Sequence, residues 1–255
     1  MFERKLASHL TNKSTLVSKR LMIIGLIIAC ACGSENNVTP SDQLYFPLQV
    51  GKYWIYDVEE TSILRLNCND NGEINSKYEL LVSVTDSFPN PEGGYSYKML
   101  RSTRMTSSQV WNPVATWTSK IVKSQAINNE SNVPYVKLIF PVFDGLQWNG
   151  NLFNNETQLN GKVEDQYKLT LTDQPFTSTK GQAFEQTVTV IQNDEQKNIL
   201  YRDTRSEVYA FNVGLVYRES YLLTYFSNSQ LPCYAQNKTQ QGSIYKQTLK
   251  EFGKN

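Results

Sequence analysis

The sequence predicts an all-β protein, folded as an antiparallel barrel or a strongly curved sheet, and three observations carry that prediction. Apolar residues recur with a period of two through most of the chain after Tyr45. Turn-forming Asn, Gly and Pro fall between those runs. No window holds a 3.6-residue apolar stripe over three helical turns. Short connections without crossover helices favour antiparallel pairing, and such a sheet buries its apolar face by closing on itself or by stacking. Two stacked sheets, built from a duplicated half, are the alternative architecture.

The first twenty residues carry five Lys and Arg against one acid, Glu3, and lead into an 11-residue apolar run from Leu21 to Ala31. A membrane-crossing helix needs about 20 apolar residues, so this pattern is read as an export signal. Ile27-Ile28-Ala29-Cys30 resembles the lipobox of bacterial lipoproteins, with an aliphatic residue at −3, a small one at −1 and then cysteine. That resemblance implies cleavage after residue 29 and acylation of Cys30, with palmitate among the expected acyl groups. Cys32 is the rival site, with Ala29 at its −3 position. The expected organisation is a signal peptide over 1–29, a lipidated cysteine and polar tether over 30–44, and one β-rich domain over 45–255. A tether of this length reaches about 20 Å, enough to hold a folded body clear of lipid headgroups.

Removing residues 1–29 takes away five of the 25 Lys and Arg and one of the 24 Asp and Glu, so the remaining 226 residues carry about −3. No basic footprint for nucleic acid remains. The only histidine, His9, leaves with the signal. That excludes Ser-His-Asp and Cys-His catalysis, His-ligated metals and a histidine pH switch from the mature protein. No cofactor is expected.

In the body, Tyr78, Leu80, Val82 and Val84 share one face, and Tyr167, Leu169 and Leu171 alternate with polar neighbours. Strands are expected over 52–58, 77–85, 95–101, 115–122, 135–140, 167–172, 185–191, 214–220, 221–226 and 244–249. Asn71-Gly72, Pro91 to Gly94, Asn149-Gly150, Asn193-Asp194 and Asn212 to Gly214 supply turn chemistry. Phe46-Pro47 to Trp54 and Phe140-Pro141 to Trp148 share F-P-x3-G-x2-W, 94 residues apart, and place Trp54 and Trp148 as core anchors at two β-corners.

Several of these patches carry a further resemblance. Phe46-Pro47-Leu48-x2-Gly51-x2-Trp54-x-Tyr56, Trp148 to Asn151, Val208-Tyr209-Ala210, Val213 to Glu219 and Gly242-x2-Tyr245-x-Gln247-x-Leu249 are similar to segments of uncharacterised cell-envelope lipoproteins of the Bacteroidota. The resemblance implies an envelope location, at the outer membrane, and a β-rich body. It implies no catalytic residue, and the membrane face stays open.

Asn67 to Ile74 superficially resembles an EF-hand loop, but Tyr78 stands where the closing Glu belongs, which favours a solvated turn. Asp57-x-Glu59-Glu60, Glu164-Asp165 and Asp194-Glu195 are acid pairs of the kind a glycosidase uses, yet adjacent strand residues point to opposite faces. No nucleophile elbow, dinucleotide fingerprint or P-loop occurs. With Cys30 and Cys32 in the tether, Cys68 and Cys233 are the two cysteines of the body, and export to an oxidising compartment makes a disulfide between them the expectation. All fifteen Tyr lie beyond the signal, and Trp111, Trp117 and Tyr95 are the expected exposed aromatics for a ligand.

The functional expectation is a lipid-anchored, non-enzymatic binding or assembly module. Its expected partners are the membrane, through the lipid, and a glycan, lipid or protein ligand. The alternatives are a His-free carbohydrate-active enzyme and a purely structural envelope protein.

Overall fold

A computed structural model describes residues 41–255, so the expected signal peptide, Cys30, Cys32 and the expected tether up to residue 40 lie outside the described residues. The described chain forms twelve strands: β1 (Lys52–Leu64), β2 (Glu73–Pro89), β3 (Tyr95–Arg104), β4 (Asn112–Val122), β5 (Gln125–Glu130), β6 (Val133–Ile139), β7 (Gln147–Asn149), β8 (Gln166–Thr177), β9 (Ala183–Glu195), β10 (Tyr201–Ala210), β11 (Gly214–Tyr225) and β12 (Thr239–Lys254). They make one antiparallel sheet in the order β6-β5-β4-β3-β2-β1-β12-β11-β10-β9-β8-β7. Each strand thus pairs with its sequence neighbours, except that β6 and β7 form the two edges and β1 also pairs with β12, from Lys52↔Lys254 to Leu64↔Gln241.

The sheet's two edges, β6 and β7, are consecutive in sequence and meet in space. The Val136 N–H donates to the Gly150 carbonyl at 2.9 Å, Trp148 Nε1–H donates to the Val136 carbonyl at 2.8 Å, and Asn154 Nδ2 donates to the Pro134 carbonyl at 2.7 Å. The sheet is nearly closed into a barrel, which satisfies the edges that an open sheet would leave unpaired. Gly150 makes the seam possible. A Cβ there would lie 2.3 Å from the ring of Tyr167, which is itself fully buried beneath it.

Closure requires curvature, and register shifts supply it: one occurs between Ile55 and Tyr56 in the β1–β12 ladder, one between Val208 and Tyr209 against β11, and one between Ala126 and Ile127 against β6. The interior is apolar toward the end where β1 begins. There Trp54, Tyr56, Val58, Leu80, Val82 and Leu249 form one buried cluster, and Phe46, Phe140, Trp148, Tyr167 and Tyr209 belong to another. Both anchor tryptophans are buried. The repeated F-P-x3-G-x2-W segments open β1 and β7, six strands apart around the twelve, so each begins one six-strand half.

Several details differ from the sequence reading. A 3-10 turn, Asp42–Tyr45, already belongs to the body: Asp42 Oδ2 accepts the Val142 N–H, and the Leu44 carbonyl accepts the Asn212 N–H. Leu171 does not continue the buried face of Tyr167 and Leu169. It has φ 53°, lies in an irregular stretch of β8 and is exposed, because the chain there turns out to bring Asp173 to the Tyr45 hydroxyl at 2.6 Å. Asn193-Asp194 falls inside β9 rather than in a turn, and 214–226 is one strand rather than two. β5, β7 and β10 are additional strands.

At the opposite end of the barrel, Cys68 in the β1–β2 connection and Cys233 in the β11–β12 connection form a disulfide, with their Cα atoms 5.7 Å apart. Beside it, Arg65 joins the β1–β2 connection to the start of β12: its N–H donates to the Gln240 carbonyl at 2.7 Å and its Nη1 donates to the Thr239 carbonyl at 2.8 Å.

Candidate functional site

Midway along the barrel the inward-facing residues become charged. Pairing aligns Gln247 of β12 with Arg218 of β11, and Arg218 with Glu207 of β10, so three polar side chains form one rung across three strands. From the other wall come Glu130, the last residue of β5, and Lys137 of β6. The ladder passes from Ala126↔Leu138 to Ile127↔Val136, which leaves Lys137 as the extra residue of a bulge. A bulge re-aims side chains, and here Val136, Lys137 and Leu138 are all buried, although strict alternation would send one of them outward. Arg101 of β3 and Trp117 of β4 complete the wall, with the Arg101 guanidinium carbon 3.7 Å above the Trp117 ring centroid.

Lys137 Nζ lies 2.6 Å from Glu207 Oε1 and 3.5 Å from Glu130 Oε1; the Glu207 side chain is 1 % exposed. Arg218 sits 3.6 Å from both carboxylates. The second oxygen of Glu207 accepts the Tyr209 hydroxyl at 2.6 Å. Burial opposes ionisation of Glu130, but the charges of Lys137, Arg218 and Arg101 outweigh it and hold its carboxyl at about 2. Burial, followed by the Glu207 charge, pushes the Tyr209 phenol well above its ordinary value, which keeps it a donor.

These values set a pH dependence. The folded pKa of Glu130 lies below the ordinary 4.5, so acid protonates the unfolded chain first. The stabilisation from Glu130 is complete above about pH 4.5 and is lost as pH falls toward 2. Melting temperatures across that window are expected to fall steeply for the native chain and less steeply for Glu130→Gln. Equal slopes would remove Glu130 as a cause.

The charged wall borders a half-open cavity of about 80 Å³, on a scale where one water takes about 10–15 Å³. Its apolar side is Phe46, Leu48, Trp54 and Met99, and its polar side holds three cations, Arg101, Lys137 and Arg218, and two carboxylates, Glu130 and Glu207. The patches that carry the lipoprotein resemblance converge here, through Phe46, Trp54, Tyr209, Leu215, Arg218 and Gln247. Pro47 of the entry segment packs on the β10–β11 turn. At Gly214, φ 97°, a Cβ would lie 3.2 Å from Pro47 Cδ.

Trp117, expected as an exposed aromatic, is half-buried and lines this cavity, where its buried Nε1 has no hydrogen-bond acceptor. Trp111 and Tyr95 do not join it. Trp111 is covered by Arg104, 4.1 Å from its ring, ahead of β4; Tyr95 is exposed at the start of β3, about 20 Å along the strand from Arg101. The acid doublets also lie apart from the cavity: Asp57 pairs with Lys180, Glu59 with Lys77, and Asp165 accepts two bonds from Arg205, which also holds Asp203. In the Asn67 loop, the Asp70 carboxylate accepts the Leu66 and Gly72 N–H groups. Among the described residues, no group of three or more His, Cys, Asp or Glu is placed to hold a metal ion.

Sequence reasoning missed Glu130, Lys137 and Glu207. Charges facing the interior read as solvent-facing in an alternation, and the bulge at Lys137 leaves no mark in the residue pattern. The one available signal was Arg218-Glu219 next to the apolar run Leu215-Val216-Tyr217.

No protein-family model matches the chain. No curated protein matches it either. Two solved structures are similar to it: a candidate exported protein with a YmcC-like fold from Bacteroides fragilis, at 14% identity and a TM-score of 0.38, and a candidate lipoprotein from Parabacteroides distasonis, at 11% identity and a TM-score of 0.39. In each, the match covers 82% of this chain and 98% of the other. At such identities, the function has to be read from this chain's own side chains.

Proposed function

We propose that the chain is a lipoprotein of the cell envelope, held at the outer membrane by acyl groups on Cys30, and that its barrel acts there as a non-enzymatic binding module. The anchor rests on the lipobox-like Ile27 to Cys30. The binding role rests on one observation: the barrel interior keeps a cavity whose wall holds five charged side chains, Arg101, Lys137, Arg218, Glu130 and Glu207. A body with purely structural work would fill its interior with its own apolar side chains, since burying charges costs free energy even when they are paired.

The cavity does bring two carboxylates together beside aromatic rings, as a glycan-cleaving enzyme would require. In such an enzyme, one carboxyl carries a proton while the other acts as base or nucleophile. Here Glu130 and Glu207 meet at the same Lys137, and Glu130 is held ionised, which favours a positioning role for both.

Metabolic palmitate labelling tests the anchor: label on the native chain and none on Cys30→Ser is expected, and unchanged labelling of the variant would overturn it. A thermal-shift screen of the full mature chain against glycans, fatty acids and small anions tests the binding role, because a ligand that binds only the folded state raises its stability. Turnover of a glycan, abolished in Glu207→Gln, would replace the binding module with an enzyme.

A further inference from the structure

We infer that the barrel stands on the lipid surface by the end where β1 begins, with Leu44, Phe143 and Leu171 seated among the headgroups and Lys52 and Lys254 turned to lipid phosphates. This deepens the envelope reading and rests on its lipid anchor.

Three segments meet at that end, and hydrogen bonds hold them side by side. Asp42 Oδ2 accepts the Val142 N–H at 3.2 Å, Asp144 Oδ1 accepts the Thr172 N–H at 2.7 Å, and the Tyr45 hydroxyl donates to Asp173 at 2.6 Å. Each bond joins near neighbours of two of the exposed residues Leu44, Phe143 and Leu171, so the three lie together at the rim. Leu171 is held at φ 53°, a left-handed conformation that leucine rarely adopts, and its side chain still faces water. Local strain that leaves an apolar side chain outside marks a contact surface rather than a core.

The charges of the same rim point to an anionic surface. Lys52 and Lys254 stand opposite each other in the β1–β12 ladder, a like-charge pair that is unfavourable by itself. Among the described residues neither takes part in an ion pair. Lys52 Nζ reaches the Asn212 carbonyl at 3.4 Å, and Asn212 donates its N–H to the Leu44 carbonyl at 2.9 Å, which joins the lysines to the apolar patch. Burial, and next the Lys254 charge, hold Lys52 below the ordinary lysine range. Asp42, Asp144 and Asp173 accept the bonds described above and hold the patch in place. Lysines beside apolar side chains suit a boundary of acyl chains and anionic headgroups.

The place where the chain enters selects lipid as the partner. Ser41, three residues before Leu44, is eleven residues on from Cys30, and a chain of that length spans about 20 Å on average. β1, with thirteen residues, gives the barrel a height on the order of 30 Å. Exposed apolar residues at the opposite end, Leu66 and Val110 among them, are thus kept away from the surface in which the acyl chains sit, while Leu44 is kept close to it.

A single acyl chain gives only marginal, reversible membrane binding, so a second contact shows directly in the partition. The experiment alkylates Cys30 of the full mature chain, in a Cys32→Ser background, with one myristoyl-length chain and measures partition onto vesicles of phosphatidylethanolamine with phosphatidylglycerol. Phe143→Ser with Leu171→Asn removes two apolar side chains, and Asn suits the left-handed backbone at 171. About tenfold weaker partition is expected, with unchanged circular dichroism. Lys254→Gln is expected to weaken partition about fivefold, and only where phosphatidylglycerol is present. Leu66→Ser with Val110→Ser, at the opposite end, is expected to change nothing. Equal partition of the native chain and the Phe143→Ser, Leu171→Asn variant, or a larger loss from the opposite-end pair, would overturn the seat. Because the acyl chain is installed chemically, seat and anchor are judged apart. Palmitate label on Cys30 with patch-independent partition overturns the seat alone, and patch-dependent partition with no label in the cell overturns the anchor alone.

Discussion

Glu207→Ala is expected to destabilise the barrel by about 3–5 kcal/mol, the range found when one member of a buried ion pair is removed and the other is left behind. The Glu207 side chain is almost fully enclosed and takes three interactions: Lys137 at 2.6 Å, the Tyr209 hydroxyl at 2.6 Å and Arg218 at 3.6 Å. Without it, Lys137 keeps only Glu130, at 3.5 Å, and the Tyr209 hydroxyl loses its acceptor. Urea unfolding with linear extrapolation measures the loss. The double variant Glu207→Leu with Lys137→Met removes both partners and is expected to recover most of the stability, because the penalty comes from the stranded charge rather than from the missing attraction. A loss under about 1 kcal/mol in the single variant would mean that Lys137 reaches water without Glu207.

The second large effect is expected from the Cys68–Cys233 disulfide. It links residues 165 apart, and the chain-entropy relation for a loop of that length gives an upper figure of about 5 kcal/mol. The folded state does not depend on it for geometry. Arg65 already ties the β1–β2 connection to the start of β12, and the adjoining ends of β1 and β12 are paired through Leu64↔Gln241. The disulfide therefore acts on the unfolded chain. Reduction, or Cys68→Ser with Cys233→Ser, is expected to lower stability by about 2–5 kcal/mol, or roughly 5–20 °C in melting temperature for a body of this size. The folded chain should keep its native circular dichroism. A drop of less than 2 °C would show that residual structure in the unfolded chain already holds the two segments together.

Much of the architecture is legible in the residue pattern, because a period of two is imposed by the geometry of a strand itself. Trp54, Tyr56 and Val58 on β1 and Leu80, Val82 and Val84 on β2 alternate with outward-facing residues and are buried as the pattern says. Two of the three strands that escaped the reading have a polar inward face or are very short, and the third, β5, offers only Ala126 and Ile127 as apolar residues, side by side rather than alternating. β10 turns Asp203, Arg205 and Glu207 toward the interior, so its pattern resembles a solvated loop, and β7 has only three residues.

The all-β class, the tryptophans at the two corners, the cysteine pair and the lack of any histidine after residue 9 can be read along the chain without coordinates. These follow from local periodicity, from composition and from elimination. The folded arrangement alone shows that β6 and β7 meet to close the barrel, that Lys137 turns inward at a bulge, and that Arg101, Trp117, Glu130, Glu207 and Arg218, spread over more than a hundred residues of chain, line one cavity. A charged residue in a strand reads the same from sequence whether it faces water or a partner. Which of the two it faces depends on curvature and register, and those are set by the whole sheet at once.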